Sequence, residues 1–146
     1  MNGYPRWFLP FLIVVAMIVF ISGLALTPNF ADRVWAIEMG WRASGGVRIL
    51  STAFHVLTGF IIIGCLGALL PIHIRSGWYR RINHLSGIMC ATALIVLGIG
   101  GIGVLYLGDE SLISINSTTH VLLGLLFSVV ASTHIVKGFR IKAANK

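Results

Sequence analysis

Charged residues are scarce in this chain, and acidic residues are the scarcest. Only 10% of its 146 residues are charged, four of them are Asp or Glu, and 57% are hydrophobic, with a mean hydropathy of +0.93. A water-soluble domain needs more polar surface than this to face solvent. The composition therefore excludes the soluble classes and predicts an integral membrane protein.

Cysteine is also rare, and its placement excludes two kinds of site. Cys65 and Cys90 both fall within apolar runs, and the chain has neither a CxxC nor a CxxCH motif. A disulfide framework and a covalently attached c-type haem are therefore unsupported. Gly98-Ile-Gly-Gly-Ile-Gly103 matches GxGxxG only formally, because it lies inside an apolar run without a preceding strand. Its glycines are predicted to permit close approach of helices instead.

Four apolar runs are long enough to cross a bilayer, which takes about 20 residues. They cover approximately residues 8–26, 49–72, 84–107 and 117–137. The first run is longer than the core of a signal peptide and no convincing cleavage site follows it, so we expect it to be retained. Because helices satisfy their own backbone in lipid, the chain is predicted to be an all-α four-helix bundle, with residues 1–146 forming one transmembrane domain.

The net charge of +7 is distributed unequally between the two sets of connections and termini. One set is basic and carries no acid: Arg6, Arg75, Arg80, Arg81, Lys137, Arg140, Lys142 and Lys146. The other set carries all four acids beside three arginines: Asp32, Glu38, Asp109, Glu110, Arg33, Arg42 and Arg48. By the positive-inside rule, both termini and the 73–83 loop are expected in the cytoplasm, and the 27–48 loop outside. The basic excess thus reflects topology and membrane lipid, and predicts no nucleic-acid partner.

The predicted external loop contains two tryptophans, Trp35 and Trp41. Their spacing favours a short amphipathic helix that lies on the membrane surface. Such a helix serves either to anchor the loop or to dock an extracytoplasmic partner, and both interpretations stay open.

Five histidines are almost the only ionisable residues within the spans, and such residues in a membrane mark functional sites. His120 and His134 are fourteen residues apart, which places them on one helix face within about 40° and roughly 21 Å apart along the axis. His55 and His73 are eighteen residues apart, which is five whole turns and about 27 Å. We expect Pro71 to kink the helix end and to absorb part of this mismatch.

The histidines separate into two levels of the membrane. His55 and His120 are expected near the outer leaflet, and His73, His84 and His134 near the cytoplasmic one. Zinc would require a tetrahedral cluster at one level, whereas facing imidazoles on two helices suit the two axial positions of haem iron. We therefore predict one haem held by His55 and His120, and a second held by His134 with either His73 or His84, of which His73 has the better face geometry.

Two short motifs repeat around these histidines. Phe54-His55-Val-Leu-Thr-Gly59 contains His-x-x-x-Gly, and His120-x-x-x-Gly124 repeats it before His134. Each glycine, Gly59 or Gly124, is predicted to let a flat macrocycle lie against the backbone.

Together with Asn83, these motifs resemble the b-type cytochrome (gamma) subunits of respiratory formate dehydrogenases and nickel–iron hydrogenases. The resemblance covers most of spans two to four. It implies two haem b groups, a quinone near Asn83, and the bacterial inner (cytoplasmic) membrane. In that family a first-span Arg-x-x-His-Trp histidine ligates the cytoplasmic haem, whereas this chain has Tyr4-Pro-Arg-Trp7 and no histidine there.

The function expected from these features is electron transfer. A dihaem cytochrome b subunit would connect an extracytoplasmic redox subunit, of iron–sulfur or cytochrome c type, with the quinone pool near Asn83 and His84. It would be part of a membrane oxidoreductase complex rather than an enzyme alone. The alternative is a non-haem membrane anchor or small transporter subunit, whose histidines contact metal ions or a partner.

Overall fold

The fold was obtained as a computed structural model that describes residues 3–80 and 83–144. Arg81 and Lys146, two members of the predicted cytoplasmic basic set, lie outside the described residues. The described residues are mostly helical and contain no strand. Its elements are α1 (Phe8–Trp35), α2 (Gly45–Leu69), a π-helical turn (Leu70–Ile74), α3 (Arg75–Arg80), α4 (His84–Tyr106) and α5 (Glu110–Ala144).

Within residues 3–80 and 83–144, four helical segments are long and apolar enough to cross a membrane, which confirms the predicted all-α class and agrees with the four predicted spans. They are Phe8–Trp35, Gly45–Tyr79, His84–Tyr106 and Glu110–Ile141. Most large apolar side chains lie on the outside of the bundle, whereas the hydroxyl residues Ser22, Thr58 and Ser117 are buried. This distribution is the one a lipid-facing bundle requires, because small and polar residues bring helices together where lipid surrounds the apolar exterior.

The helices pack as two antiparallel pairs. α1 lies mainly on α2, and α4 lies mainly on α5; the two pairs meet through the α2–α4 and α1–α5 contacts. α2 and α5 therefore lie diagonally across the bundle. We call the end that contains Trp35 and Asp109 the outer end, and the end that contains Tyr4 and Asn83 the inner end.

The prediction of a surface helix within a 27–48 loop is wrong. α1 continues to Trp35 and ends at Ala36, whose left-handed backbone (φ 51°) lets Ile37 N–H donate to the Ala31 carbonyl at 3.1 Å. The segment 37–43, which includes Trp41, is irregular. The helix continues because Pro28 and Ala31 are buried against its neighbours, and because Trp35 Nε1 donates to Thr118 Oγ1 on α5 at 3.1 Å.

The irregular outer segment is fastened back onto α1 by side chains. Asn29 exchanges two hydrogen bonds with the Ala43 backbone, at 3.2 and 3.4 Å. Arg42 pairs with Asp32 at 2.6 Å on a solvent-exposed surface. These contacts fix the connection between α1 and α2 at the outer end.

The fourth span begins earlier than predicted, at Glu110 rather than Ser117. Asp109 Oδ1 accepts a hydrogen bond from Leu112 N–H at 2.9 Å, and its carbonyl accepts from Ile113 N–H at 2.9 Å. An aspartate in this position satisfies amide groups of the first turn. α5 therefore extends beyond the apolar run in both directions.

The inner end of α2 widens into the π-helical turn around Pro71, where a kink was expected. Tyr4 Oη donates to the Ala68 carbonyl at 3.0 Å, and Gly3 lies against Ile72. π turns disturb the regular i→i−4 bonding and often occur at functional sites. Because this turn holds more residues than an α-turn, ideal α periodicity no longer relates His73 to His55.

Candidate functional site: two histidine pairs and an inner groove

The outer histidine pair joins the two diagonal helices. His55 on α2 and His120 on α5 have ring centroids 6.1 Å apart, with the ring planes at 73°. Their rings are partly buried between the helix pairs. The structure thus brings together the two residues that the sequence predicted as one pair.

The backbone of α1 fixes the orientation of the His55 ring. Its Nδ1 lies 2.9 Å from the Val19 carbonyl, and the buried Ser22 hydroxyl is 3.4 Å from the same nitrogen. A carbonyl only accepts hydrogen bonds, so Nδ1 carries the proton and Nε2 keeps its lone pair. A Cβ added at Gly23 would lie 2.9 Å from His55 Cε1, so only glycine leaves room for the ring at this point.

His120 is held differently, against the glycines of α4. A Cβ added at Gly100 would lie 3.3 Å from His120 Nδ1, and one added at Gly101 would lie 3.5 Å from Cε1. The Leu97 carbonyl is the backbone acceptor on this side of the ring, but the pair does not reach hydrogen-bond geometry. Nδ1 is buried without a hydrogen-bond partner among the described residues.

The inner pair repeats the arrangement of the outer pair at the other end of the same two segments. His73, in the π-helical turn, and His134 on α5 also have ring centroids 6.1 Å apart, with the planes at 86°. Because α5 is continuous, the two pairs are separated by about 21 Å along its axis. Between the two candidate partners of His134, the structure brings His73 next to it.

A closed polar network orients the ring of His134. Its Nδ1 lies 2.9 Å from Ser86 Oγ, and the Ser86 hydroxyl donates to Asn83 Oδ1 at 2.6 Å. The Asn83 amide returns to α5 by donating to the His134 carbonyl at 2.8 Å. The Asn83 amide nitrogen also lies 3.1 Å from His134 Nδ1, so both Asn83 and Ser86 hold this nitrogen of the ring. Gly87 completes the contact, since a Cβ there would lie 3.4 Å from His134 Cε1.

Asn83 can reach this network because of its backbone. It precedes α4 with φ 52°, in the left-handed region that asparagine adopts more readily than most residues. The sequence singled out Asn83, and the structure gives it contacts with both α4 and α5.

His84 belongs to neither pair. Its ring packs on Trp78 at a centroid distance of 4.4 Å, and its Nε2 is buried without a partner in the described part of the chain. His84 also lines an open groove of about 380 Å³ at the inner end. The polar residues of this groove are Asn83, His84, Ser86, Thr133 and Lys137.

The two glycines predicted beside the histidines do not touch the rings. A Cβ added at Gly59 would meet no atom within 4 Å, and one at Gly124 would meet only Leu97 Cδ2 at 4.0 Å. Both positions leave space next to the backbone, and whether a macrocycle lies there stays a prediction. The glycines in contact with the rings are Gly23, Gly87, Gly100 and Gly101.

Each pair supplies two imidazole nitrogens, which is the donor set that a bis-histidine haem would use. If both imidazoles of a pair bound one metal ion through a nitrogen, their ring centroids would lie roughly 6 Å apart. Both observed distances are 6.1 Å. Among the residues described, no group of three or more His, Cys, Asp or Glu is arranged to hold a metal ion.

The sequence alone did not predict that several residues belong to the site. Val19 acts through its backbone, and Ser22 and Gly23 lie in a span that contains no histidine. Ser86 follows Asn83 by three residues, which fits one helix turn, but His134 is distant in sequence. The glycine run of α4 was predicted to allow close packing, and α5 does approach it there.

Comparisons of the whole chain with protein-family models, with curated proteins and with solved structures found no match.

Proposed function

We propose that this chain is a dihaem cytochrome b subunit of the bacterial cytoplasmic membrane, which transfers electrons between an extracytoplasmic redox partner and the quinone pool. The observation that carries the proposal is the repeated histidine pair. Each pair combines one residue of the second span with one of α5, and both have the same centroid distance of 6.1 Å. A single pair has many structural explanations, whereas two equal pairs at different depths favour two equivalent cofactors.

The chemistry that bound haem supplies is one-electron transfer, and two axial histidines leave no open coordination position for other reactions. The protein's contribution is to fix the ligands. His55 donates its Nδ1 proton to the Val19 carbonyl, and His134 Nδ1 is held by Ser86 and Asn83. The bond from His55 leaves its Nε2 with a lone pair that could bind haem iron, and an acceptor on Nδ1–H makes the imidazole more basic.

The groove at the inner end is proposed as the quinone site. Its volume of about 380 Å³ is within the range of small-molecule sites. Apolar walls from Leu85, Met89 and Val130 suit the ring and isoprenoid tail. Donors from Asn83 and Lys137 suit the quinone oxygens.

The groove is also connected to the inner histidine pair. Asn83 and Ser86 line the groove and form the network around His134. The same side chains would therefore contact the quinone and hold the inner axial ligand. Because Asn83 and Ser86 are shared, an electron would have a short path between the inner haem and the quinone.

The proposed orientation has both termini and the α3 end in the cytoplasm. Lys137 and Arg140 lie towards the inner end of α5, and Asp109 and Glu110 lie at its outer end. This distribution follows the positive-inside rule. The partner subunit would then dock at the outer end, near the 36–44 segment.

The decisive experiment is the spectrum of the purified protein. We expect a reduced-minus-oxidised α-band of b type and two haems per chain by pyridine haemochrome assay. A colourless preparation with full helical circular dichroism would refute the proposal. The quinone site is tested by the rate at which a soluble quinol reduces the haem. We expect this rate to fall in Asn83→Leu. It should be unchanged in Ser132→Ala, the control, because the Ser132 hydroxyl bonds only the Ser128 carbonyl on its own helix.

A further inference from the structure

Among the four proposed ligands, His120 differs from His55 and His134 in the surroundings of its Nδ1 atom. His55 Nδ1 donates to the Val19 carbonyl, and His134 Nδ1 lies within hydrogen-bond distance of both Ser86 Oγ and Asn83 Nδ2. His120 Nδ1 is buried and has no hydrogen-bond partner among the described residues. A buried polar nitrogen without a partner costs roughly 1–3 kcal/mol, so such groups are nearly always satisfied by protein or by an ordered water.

Asn116 is the polar side chain placed to supply that partner. It lies one helical turn before His120 on α5, so both side chains project from the same face. A Cβ added at Gly100 would lie 3.3 Å from His120 Nδ1 and 3.5 Å from Asn116 Oδ1. The two atoms therefore flank one glycine from the same direction.

The amide of Asn116 is itself oriented by α4. Its Nδ2 donates to the Gly100 carbonyl at 2.9 Å, which leaves Oδ1 as an acceptor. Gly103 makes this possible, because a Cβ there would lie 2.8 Å from Asn116 Nδ2. The glycines of the Gly98–Gly103 run thus admit both Asn116 and His120 to the surface of α4.

A small cavity joins the two groups. It has a volume of about 110 Å³, and its lining includes Gly100, Asn116, Thr119 and His120. A water molecule takes about 30 Å³ and requires two or more polar partners. The cavity supplies both the room and the partners.

From these observations we infer that Asn116 is the positioning residue of His120, with its Oδ1 accepting the Nδ1–H hydrogen bond through one bridging water. This inference rests on the proposed function, because it assigns Asn116 a role towards the outer haem. An acceptor at Nδ1–H strengthens electron donation to iron and favours the ferric state. Loss of Asn116 is therefore expected to raise the midpoint potential of the outer haem.

The test is a redox titration of the purified protein, resolved by α-band for each haem. The outer haem is defined as the signal that is lost in His55→Ala. For Asn116→Leu we expect the ferric–ferrous equilibrium of that signal to shift towards ferrous by up to about tenfold, which is about 59 mV for one electron. We also expect the outer haem to be retained about 10–100-fold less tightly. The signal of the inner haem should keep its potential.

Two further variants keep the test decisive if Asn116→Leu does not fold. Asn116→Asp retains an acceptor oxygen and should keep the outer potential at or below the wild-type value. Gly100→Ala closes the space between the two side chains and should reproduce the upward shift. Its matched control is Gly64→Ala, because a Cβ at Gly64 meets no atom within 4 Å.

The outcomes separate the inference from the function on which it rests. A colourless wild-type protein refutes the proposed function. The role of Asn116 is overturned if the wild-type protein contains two haems and the midpoint potential of the outer haem is unchanged in Asn116→Leu or Gly100→Ala. An equal shift of both haems in these variants also overturns it, since that indicates a general change of the bundle.

Discussion

The imidazole rings of His73 and His134 lie with their centroids 6.1 Å apart, although 60 residues separate them and His84 is closer in sequence. The π-helical turn around Pro71 carries His73, and the polar network at the start of α4 orients His134. His55 and His120 show the same separation at the outer end. Four histidines thus form two pairs, and the fifth stands apart.

The first prediction concerns which histidines share a haem. His55→Ala and His120→Ala are each expected to remove the same outer haem, because either change deletes one of its two proposed ligands. His73→Ala and His134→Ala are expected to remove the inner haem. Pyridine haemochrome assays should show one haem per chain in all four variants. His84→Ala is the control and should retain two haems per chain. If His84→Ala lost a haem while His73→Ala kept both, the pairing of His73 with His134 would be wrong.

The second prediction concerns the hydroxyl that holds His134. Ser86→Ala removes one of the two hydrogen-bond partners of His134 Nδ1 and a link to Asn83, which is the other partner. We expect about 10–100-fold weaker binding of the inner haem, measured by haem transfer to an apo-globin acceptor. Ser132→Ala is the matched control, since its hydroxyl bonds only within α5. Equal rates of haem loss in the two variants would exclude a role for Ser86.

The third prediction concerns the close approach of α1 to His55. In Gly23→Ala the new methyl group would lie 2.9 Å from His55 Cε1, and the ring cannot retreat without losing its bond to the Val19 carbonyl. We therefore expect loss of the outer haem while the inner haem remains. The haem-to-protein ratio and the remaining α-band measure this. Gly67→Ala meets no atom within 4 Å and should keep both haems; retention of both in Gly23→Ala would show that the ring has room to move.

The fourth prediction concerns orientation in the membrane. Trp41 is 57% exposed and Tyr79 is 75% exposed, at opposite ends of the second span. A membrane-impermeant maleimide applied to intact cells should label Trp41→Cys, and should label Tyr79→Cys only after the membrane is opened. The wild-type chain is the control, because Cys65 and Cys90 lie within spans. The reverse labelling pattern would invert the proposed topology.

The spans could be predicted from sequence because bilayer thickness sets the length of an apolar run. Their ends could not, since ends depend on local contacts. Asp109 was a visible capping residue before Leu112, and it indicates the true start of α5. By contrast, the extension of α1 to Trp35 depends on Thr118, a residue of the last span, and no local pattern predicts that contact.

The pairing of histidines was partly predictable for a similar reason. Helical periodicity and depth were enough to associate His55 with His120. The residues that hold the rings were not predictable, because they act through a backbone carbonyl, as Val19 does, or through the lack of a side chain, as Gly23 does. Those roles depend on which helices become neighbours, and hydropathy alone does not determine that.

The diagonal position of α2 and α5 has a consequence for the order of assembly. Each histidine pair draws one member from the second span and one from the last, so neither pair exists while the ribosome is still making α4. Trp35 likewise finds Thr118 only when α5 has entered the bundle. Under the proposed function, haem would therefore bind only after translation of the fourth span, and chains truncated before α5 are expected to remain without either site.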